Sequence, residues 1–201
     1  MLSLVERIRR GLQKPAQHGI TPRLAGDDGW LPGHAAPGLR LVPGAVLVPI
    51  LPTPRPELLL TTRSAHLTKH GGQVAFPGGR ADRTDRDTVA TALREAKEEV
   101  GLDPDSVEVL GVADPYRTIT GFEVRPVVGL LPAEVRLHIN QAEVADTFRV
   151  PLEYVLDPAN HQLREMLWQG RLRRYYAIEW QGRNIWGATA GMLVNLAARM
   201  A

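Results

Sequence analysis

The chain contains the stretch Arg94-Glu95-Ala96-Lys97-Glu98-Glu99-Val100-Gly101, which predicts a helix with one apolar and one acidic face. A helix turns by about 100° per residue, so apolar residues three or four positions apart form its core face. That predicted face comprises Val89, Leu93, Ala96 and Val100. Glu95, Glu98 and Glu99 are spaced i, i+3 and i+4, which predicts neighbouring carboxylates on nearly the opposite side.

Adjacent carboxylates on one helix face repel each other, and a sequence that served only the helix would separate them. A bound divalent cation removes this conflict, because hard cations such as Mg²⁺ take carboxylate oxygens as ligands. The alternative is a solvated acidic face on which Arg94 and Lys97 are the ion-pair partners. The helix alone leaves both interpretations open.

The residues on either side of the helix favour the metal site. Phe76-Pro77-Gly78-Gly79 precede it, and paired glycines allow close backbone approach and positive φ angles. Gly101-Leu102 follow it, which suits a tight C-terminal turn. Arg94 lies four residues before Glu98 and is predicted to brace that carboxylate, as groups behind a metal ligand do.

This loop–helix–loop resembles the Nudix box, whose pattern is Gly, five residues, Glu, seven residues, then Arg-Glu-apolar-x-Glu-Glu-x-Gly-apolar. The second half matches at every fixed position from Arg94 to Leu102. The first half departs from the pattern. Counting from Gly79, the acidic position falls on Asp85, and eight residues instead of seven separate Asp85 from Arg94. The role of Asp85 is therefore left open.

The resemblance implies an α/β fold, a Nudix-type α/β/α sandwich with a mixed central sheet, and hydrolysis of a pyrophosphate bond. It implies that Mg²⁺ or Mn²⁺ is held by Glu95, Glu98, Glu99 and the backbone carbonyl of Gly79. Glu95 and Glu99 are the first choices as direct ligands, and Glu98 is expected to be shared between ligation and proton transfer. The family often adds a carboxylate from a later loop, which the segment Asn140 to Asp146 resembles. The expected catalytic residues are Arg94, Glu98, Glu99 and Glu143, with Glu143 as general base or outer ligand.

A second motif lies just upstream and contains Leu59-Leu60-Thr61-Thr62-Arg63-Ser64, His70-Gly71-Gly72-Gln73-Val74 and Phe76-Pro77-Gly78-Gly79. It resembles the signature of the coenzyme A pyrophosphatase branch of the Nudix family, and departs from it mainly at Thr68. The extra residue before Arg94 also occurs in that branch, and 185–190 resemble another of its segments. The resemblance spans about 46–196 and leaves the first forty residues outside it.

The branch implies a substrate that carries a pyrophosphate and a 3′-phosphate, with 3′,5′-ADP and 4′-phosphopantetheine as the products from coenzyme A. Cationic and polar residues near the box are suited to these anions by charge-assisted hydrogen bonds. The predicted substrate-binding residues are Arg63, Lys69, His70, Gln73 and Arg80. Two alternatives remain: a pyrophosphatase for another nucleoside diphosphate derivative, such as ADP-ribose or a dinucleotide, and a non-catalytic Nudix-like binding module.

The composition of the 201-residue chain is that of an ordinary globular protein, 44% hydrophobic and 23% charged. It contains no cysteine, which excludes disulfides and thiolate metal sites and is compatible with a reducing cytoplasm. Charges interrupt the apolar residues of 1–13, so a secretory signal is not expected there. No stretch of the sequence approaches the ~18 apolar residues of a membrane span, so a membrane segment is not expected either. The absence of a basic cluster with interleaved aromatics argues against nucleic-acid binding. The expected partner is a small molecule.

Periodicity predicts one mixed α/β domain over 41–201, preceded by an N-terminal helix and an irregular extension over 1–40. Proline-rich residues between two apolar runs predict a β-hairpin, and Gln181-Gly182 predict another. The predicted helices span 2–13, 87–100 and 188–200, with a short helix or turn at 151–156. The predicted strands span 45–51, 57–62, 73–76, 107–112, 123–131, 173–180 and 183–186.

Overall fold

The computed structural model describes residues 2–14, 41–66, 71–168 and 170–200. In chain order these form α1 (Leu4–Gln13), β1 (Val42–Leu51), β2 (Glu57–Arg63), β3 (Val74–Ala75), β4 (Gly78–Arg80), α2 (Thr88–Val100), β5 (Glu108–Val112), β6 (Tyr116–Arg117), β7 (Phe122–Leu130), β8 (Val144–Pro151), α3 (Leu152–Leu156), β9 (Gln162–Trp168), β10 (Arg171–Trp180), β11 (Arg183–Trp186) and α4 (Ala188–Arg199).

The central sheet is mixed. Its main order is β3-β2-β1-β7-β5, with β8 paired to β2, β4 to β1 and β6 to β7. β1 and β7 are parallel, whereas β1 and β2 form the predicted hairpin, with Ile50 opposite Leu58. β1 also pairs with β4, which places Gly79 opposite Ala45. The first strand of the hairpin thereby holds the segment that leads to the acidic helix.

Alternation along the strands produces two apolar cores, one on each face of the sheet. Ala92, Ala96 and Val100 of α2 pack with Ala45 and Leu47 of β1 on one face. The other face packs against α1, α4 and the smaller sheet, through residues that include Ile8, Ile50, Leu60, Ile178 and Leu193. Helices on both sides of a mixed sheet confirm the predicted α/β/α architecture.

A three-stranded antiparallel sheet, in the order β11-β10-β9, covers part of the second face. The predicted hairpin at Gln181-Gly182 is confirmed, and both turn residues have the positive φ angles, 47° and 77°, of a tight hairpin turn. Strand β9 was not predicted. Its sequence, Gln-Leu-Arg-Glu-Met-Leu-Trp, contains no β-branched residue, and it becomes a strand through its pairing with β10.

The predicted N-terminal helix is confirmed as α1, which begins with a capping box formed by Ser3 and Glu6. Its Ile8 is fully buried in the core, and Arg9 lies 2.6 Å from Glu108 of β5. The predicted irregular extension lies outside the described residues, so the division of the chain near residue 40 stays a prediction. None of the described helices has the length and apolar character of a membrane-spanning segment.

Candidate active site

Helix α2 has well-defined ends, which fix where its acidic residues lie. The side chain of Asp87 caps the N-terminus by accepting the Ala90 N–H at 2.8 Å. At the other end Gly101 adopts a left-handed φ of 69°. A Cβ at position 101 would lie 2.9 Å from the backbone N of His138, so glycine also allows the following loop to pass close to the helix.

Glu99 is the most buried acid of the helix, with a side chain only 3% exposed. Its Oε2 accepts the N–H of Gly78 at 3.1 Å, and its Oε1 lies 3.4 Å from Nη1 of Arg63. Burial raises the pKa of Glu99 to about 7, and the nearby carboxylates of Glu143 and Glu95 add to the rise. The Gly78 N–H and the Arg63 guanidinium lower the pKa of Glu99, but their effect is smaller than the rise that burial causes.

Periodicity predicts Glu99 beside Glu95 and Glu98 on the side nearly opposite the apolar stripe, but the structure buries the Glu99 side chain. Helical periodicity identifies the stripe that packs against the main sheet, but it gives no information about other parts of the chain that pack on the remaining sides of the helix. Here the Gly78–Gly79 backbone and the end of β2 cover the side of α2 that carries Glu99. Of the three acids Glu95, Glu98 and Glu99, only Glu98 is largely exposed to solvent, with 55% of its side chain accessible.

Glu95 lies directly over the backbone of Gly79. A Cβ at position 79 would fall 2.5 Å from Oε2 of Glu95, so only glycine leaves room for this carboxylate. Burial raises the pKa of Glu95 above its ordinary value, although Arg94 lowers it. The structure thus brings Gly79, Glu95 and Glu99, three of the predicted metal ligands, to one place.

Arg94 holds the loop before α2 and two acids of the helix together. It donates to both carboxylate oxygens of Asp85, from Nε at 2.9 Å and from Nη2 at 3.0 Å. Nη2 also donates to the carbonyl of Arg80 at 3.0 Å. Nη1 lies 3.2 Å from Glu98, as predicted, and 2.9 Å from Glu95. Arg94 therefore positions acids of the site through a planar, bidentate anchor.

Asp85 was missing from the predicted site, although it occupies the acidic position of the motif as counted from Gly79. Its side chain is only 6% exposed, and the hydrogen bonds from Arg94 hold its pKa well below the ordinary value. The extra residue before Arg94 does not prevent this pairing. The signal in the sequence was the departure itself: a short acid at a position where a longer one is usual.

Replacing Asp85 by Asn tests this anchor. We expect a loss of about 2 kcal/mol in the free energy of unfolding at pH 7, because hydrogen bonds to a charged partner are lost while Arg94 stays partly buried. Since the folded-state pKa of Asp85 is lowered, its contribution is present above its ordinary pKa of 3.8 and is lost as the pH falls further.

Urea denaturation of wild type and D85N at pH values from 7 to 3 measures this difference. The exposed Asp105 provides the matched control as D105N, which should unfold like the wild type. An equal stability of wild type and D85N at pH 7 would show that the Asp85–Arg94 pair does not stabilise the site.

Some of the predicted site residues outside α2 lie near its acids, and others do not or are not described by the structure. Glu143 is half-buried, its backbone carbonyl accepts the N–H of Ser64 at 2.8 Å, and its carboxylate acts electrostatically on Glu95 and Glu99. Arg63 is at the site through Glu99, and the carbonyl of Gln73 accepts the Arg63 N–H at 2.9 Å. Arg80 has an exposed side chain and a carbonyl bonded to Arg94. Lys69 and His70 lie outside the described residues.

Comparison with known proteins decides the family. The profile described as the NUDIX domain matches residues 41–180, which is most of the chain. The chain belongs to the Nudix family. Relatives that are named uncharacterized Nudix hydrolase NudL include one from Pectobacterium atrosepticum, 47% identical over 156 residues, and one from Escherichia fergusonii, 44% identical. Each alignment covers 78% of this chain and 81% of the relative.

Solved Nudix structures are more distant. A C. elegans Ap4A hydrolase in a binary complex is 20% identical, with a TM-score of 0.48 over 55% of this chain and 80% of that one. The NUDIX domain of Shewanella oneidensis NrtR, complexed with ADP ribose, is 25% identical, with a TM-score of 0.45 over 58% of this chain and 76% of that one. The family match supports the Nudix fold and hydrolysis of pyrophosphate-containing substrates, for which Nudix hydrolases generally use divalent metal ions.

The residues of this Nudix site fit a divalent cation in their chemistry. Two carboxyl groups with raised pKa values lie against the Gly78–Gly79 backbone, Glu99 at Gly78 and Glu95 at Gly79, and a neighbouring cation would stabilise the charged form of both. In the described parts of the chain, however, no three acidic or imidazole side chains already converge closely enough to enclose a metal ion. Glu98 points toward Arg94 and would have to turn inward to join Glu95 and Glu99.

Proposed function

We propose that the chain is a metal-dependent coenzyme A pyrophosphatase that releases 3′,5′-ADP and 4′-phosphopantetheine. One observation carries the proposal: Arg63, from the motif that resembles the coenzyme A branch, lies 3.4 Å from Glu99 of the Nudix box. The substrate motif and the acidic helix therefore meet at one point. A phosphate group bound by Arg63 would lie beside the box carboxylates.

The roles of the remaining residues follow from their places. Glu95, Glu98, Glu99 and the Gly79 carbonyl would hold Mg²⁺ or Mn²⁺, which when bound activates water and neutralises phosphate oxygens. Arg94 keeps Glu95 and Glu98 in position. Arg63, Lys69, His70, Gln73 and Arg80 are proposed to bind the phosphates of the substrate.

The proposed reaction is attack of a water oxygen on one phosphorus of the pyrophosphate. A new P–O bond forms, the bond from that phosphorus to the bridging oxygen breaks, and the second phosphate leaves with the bridging oxygen. Glu143, which faces the box acids, accepts the proton of the attacking water as general base. A cytoplasmic location is part of the proposal, since the cysteine-free sequence suits a reducing compartment.

The test is a comparison of substrates with identification of products. The protein is incubated with Mg²⁺ and, separately, coenzyme A, ADP-ribose or a diadenosine polyphosphate, and the products are identified by mass spectrometry. We expect coenzyme A to be cleaved fastest, giving 3′,5′-ADP and 4′-phosphopantetheine. Faster cleavage of ADP-ribose or the dinucleotide, or no 3′,5′-ADP from coenzyme A, would overturn the choice of substrate.

A further inference from the structure

The segment 138–143 runs along the C-terminal end of α2 and carries Glu143 to the site. The N–H of His138 donates to the carbonyl of Val100 at 2.8 Å, and the N–H of Asn140 donates to the carbonyl of Glu99 at 2.9 Å. Carbonyls at the end of a helix have no partner within it, so these bonds both satisfy the helix end and fix the loop there. Asn140 is thereby tied to the residue that carries the most buried acid of the site.

Asn140 also makes a dense set of contacts with the residues that follow it. Its Nδ2 donates to Oε1 of Glu143 at 3.3 Å, and its Oδ1 accepts the N–H of Ala142 at 3.2 Å. Its backbone carbonyl accepts the N–H groups of Glu143 at 3.0 Å and Val144 at 2.9 Å. One side chain thus forms the turn and also holds the carboxylate at the end of the turn.

We propose that Asn140 is the positioning residue of Glu143, which it holds toward the acids of α2 through its side-chain amide. This inference rests on the function proposed above for Glu143. The carboxylates of Glu95 and Glu99 repel that of Glu143, so an unrestrained glutamate would turn toward solvent. The amide is a neutral donor, which restrains the carboxylate without adding a positive charge that would compete with a metal ion.

Replacing Asn140 by Asp separates this role from turn formation. Aspartate retains an oxygen for the Ala142 N–H, as well as the backbone bonds, but it loses the donor to Glu143 and places a carboxylate that repels Glu143 in its stead. We expect N140D to lower kcat roughly 10- to 100-fold, which is the usual effect of removing a group that orients a ligand or catalytic side chain. KM and the thermal midpoint should stay close to the wild-type values.

A double-mutant cycle with E143Q distinguishes a positioning role from a purely structural one. It compares the effect of N140D on kcat with and without the Glu143 carboxylate. If Asn140 acts through Glu143, N140D lowers kcat in the wild-type background and has no further effect in E143Q. If N140D lowers kcat by the same factor in both backgrounds, it acts through the metal site or the turn, and the inference is wrong. N140S, whose hydroxyl is too short to reach Glu143, repeats the test if N140D does not fold.

The outcomes distinguish this inference from the function on which it rests. The cycle is measured with the substrate that the wild type cleaves fastest, so an incorrect choice of coenzyme A does not affect it. If E143Q keeps the wild-type kcat, Glu143 is not the general base, and the inference about Asn140 is wrong as well. A low kcat in E143Q together with wild-type kcat in both N140D and N140S would overturn the role of Asn140 alone.

Discussion

Replacing Glu99 by Gln is expected to lower kcat for pyrophosphate hydrolysis roughly 1,000-fold, since a bound divalent cation contributes several kcal/mol of transition-state stabilisation. Glutamine fills the same space and can still accept the Gly78 N–H, so the change keeps the packing but removes the negative charge and its ion pair with Arg63. Steady-state kinetics in Mg²⁺ measure the effect. E153Q is the matched control, because Glu153 is an exposed glutamate of α3, on the opposite face of the sheet.

The stability of the metal-free E99Q protein separates loss of function from loss of fold. The folded protein holds the Glu99 proton up to about pH 7, whereas the ordinary pKa is 4.5. In this interval the folded chain binds more protons than the unfolded chain, so the Glu99 contribution to stability falls as the pH rises. Metal-free E99Q should therefore be at least as stable as wild type at pH 8. Full activity of E99Q would show that Glu99 is not a metal ligand.

Replacing Gly79 by Ala is expected to lower kcat about 100-fold, the typical effect of displacing a catalytic group by about 1 Å. The nearest heavy atoms to a Cβ at this position all belong to the Glu95 carboxyl group, the closest at 2.5 Å. The carboxylate must move away, while the main chain stays in place. Kinetics in Mg²⁺ and the thermal midpoint together measure this effect.

Gly78→Ala provides the contrast for this experiment. A Cβ there would lie 2.5 Å from backbone atoms of Ala45 and Val46, and Gly78 has a φ of 153° that other residues rarely adopt. G78A should therefore lower the thermal midpoint, whereas G79A should keep it and lose activity. If G79A retains the wild-type kcat, the contact between Gly79 and Glu95 has no part in catalysis.

The main elements of the fold could be predicted from the sequence because they depend on local signals. Helix α2 has a capping aspartate, a periodic apolar face and a terminal glycine, and both hairpins have turn residues between apolar strands. Strands β4 and β9 could not be predicted in this way. Strand β4 contains no residue that favours strands, and β9 contains no β-branched residue. Each becomes a strand through pairing with a distant segment: β4 pairs with β1, and β9 pairs with β10.

In the candidate site, too, the contacts within one helix could be predicted from the sequence, whereas the contacts with distant segments could not. The acids of α2, and the contact of Arg94 with Glu98, follow from spacing on one helix. The burial of Glu99 depends on backbone that crosses from Gly78, and the Arg94–Asp85 pair spans a loop of irregular geometry. No periodicity within the helix carries that information. The contact between Asn140 and Glu143 was within reach of the sequence, since asparagine often forms such turns.

The rate of pyrophosphate hydrolysis as a function of Mg²⁺ concentration tests the metal site most directly. Wild type and E99Q are first treated with EDTA and then dialysed, and each receives Mg²⁺ in steps with coenzyme A as substrate. We expect no turnover without metal, a saturable return of activity in the wild type, and almost none in E99Q at the same concentrations. Turnover by metal-free protein, or an equal response of E99Q, would contradict a metal-dependent reaction at these carboxylates.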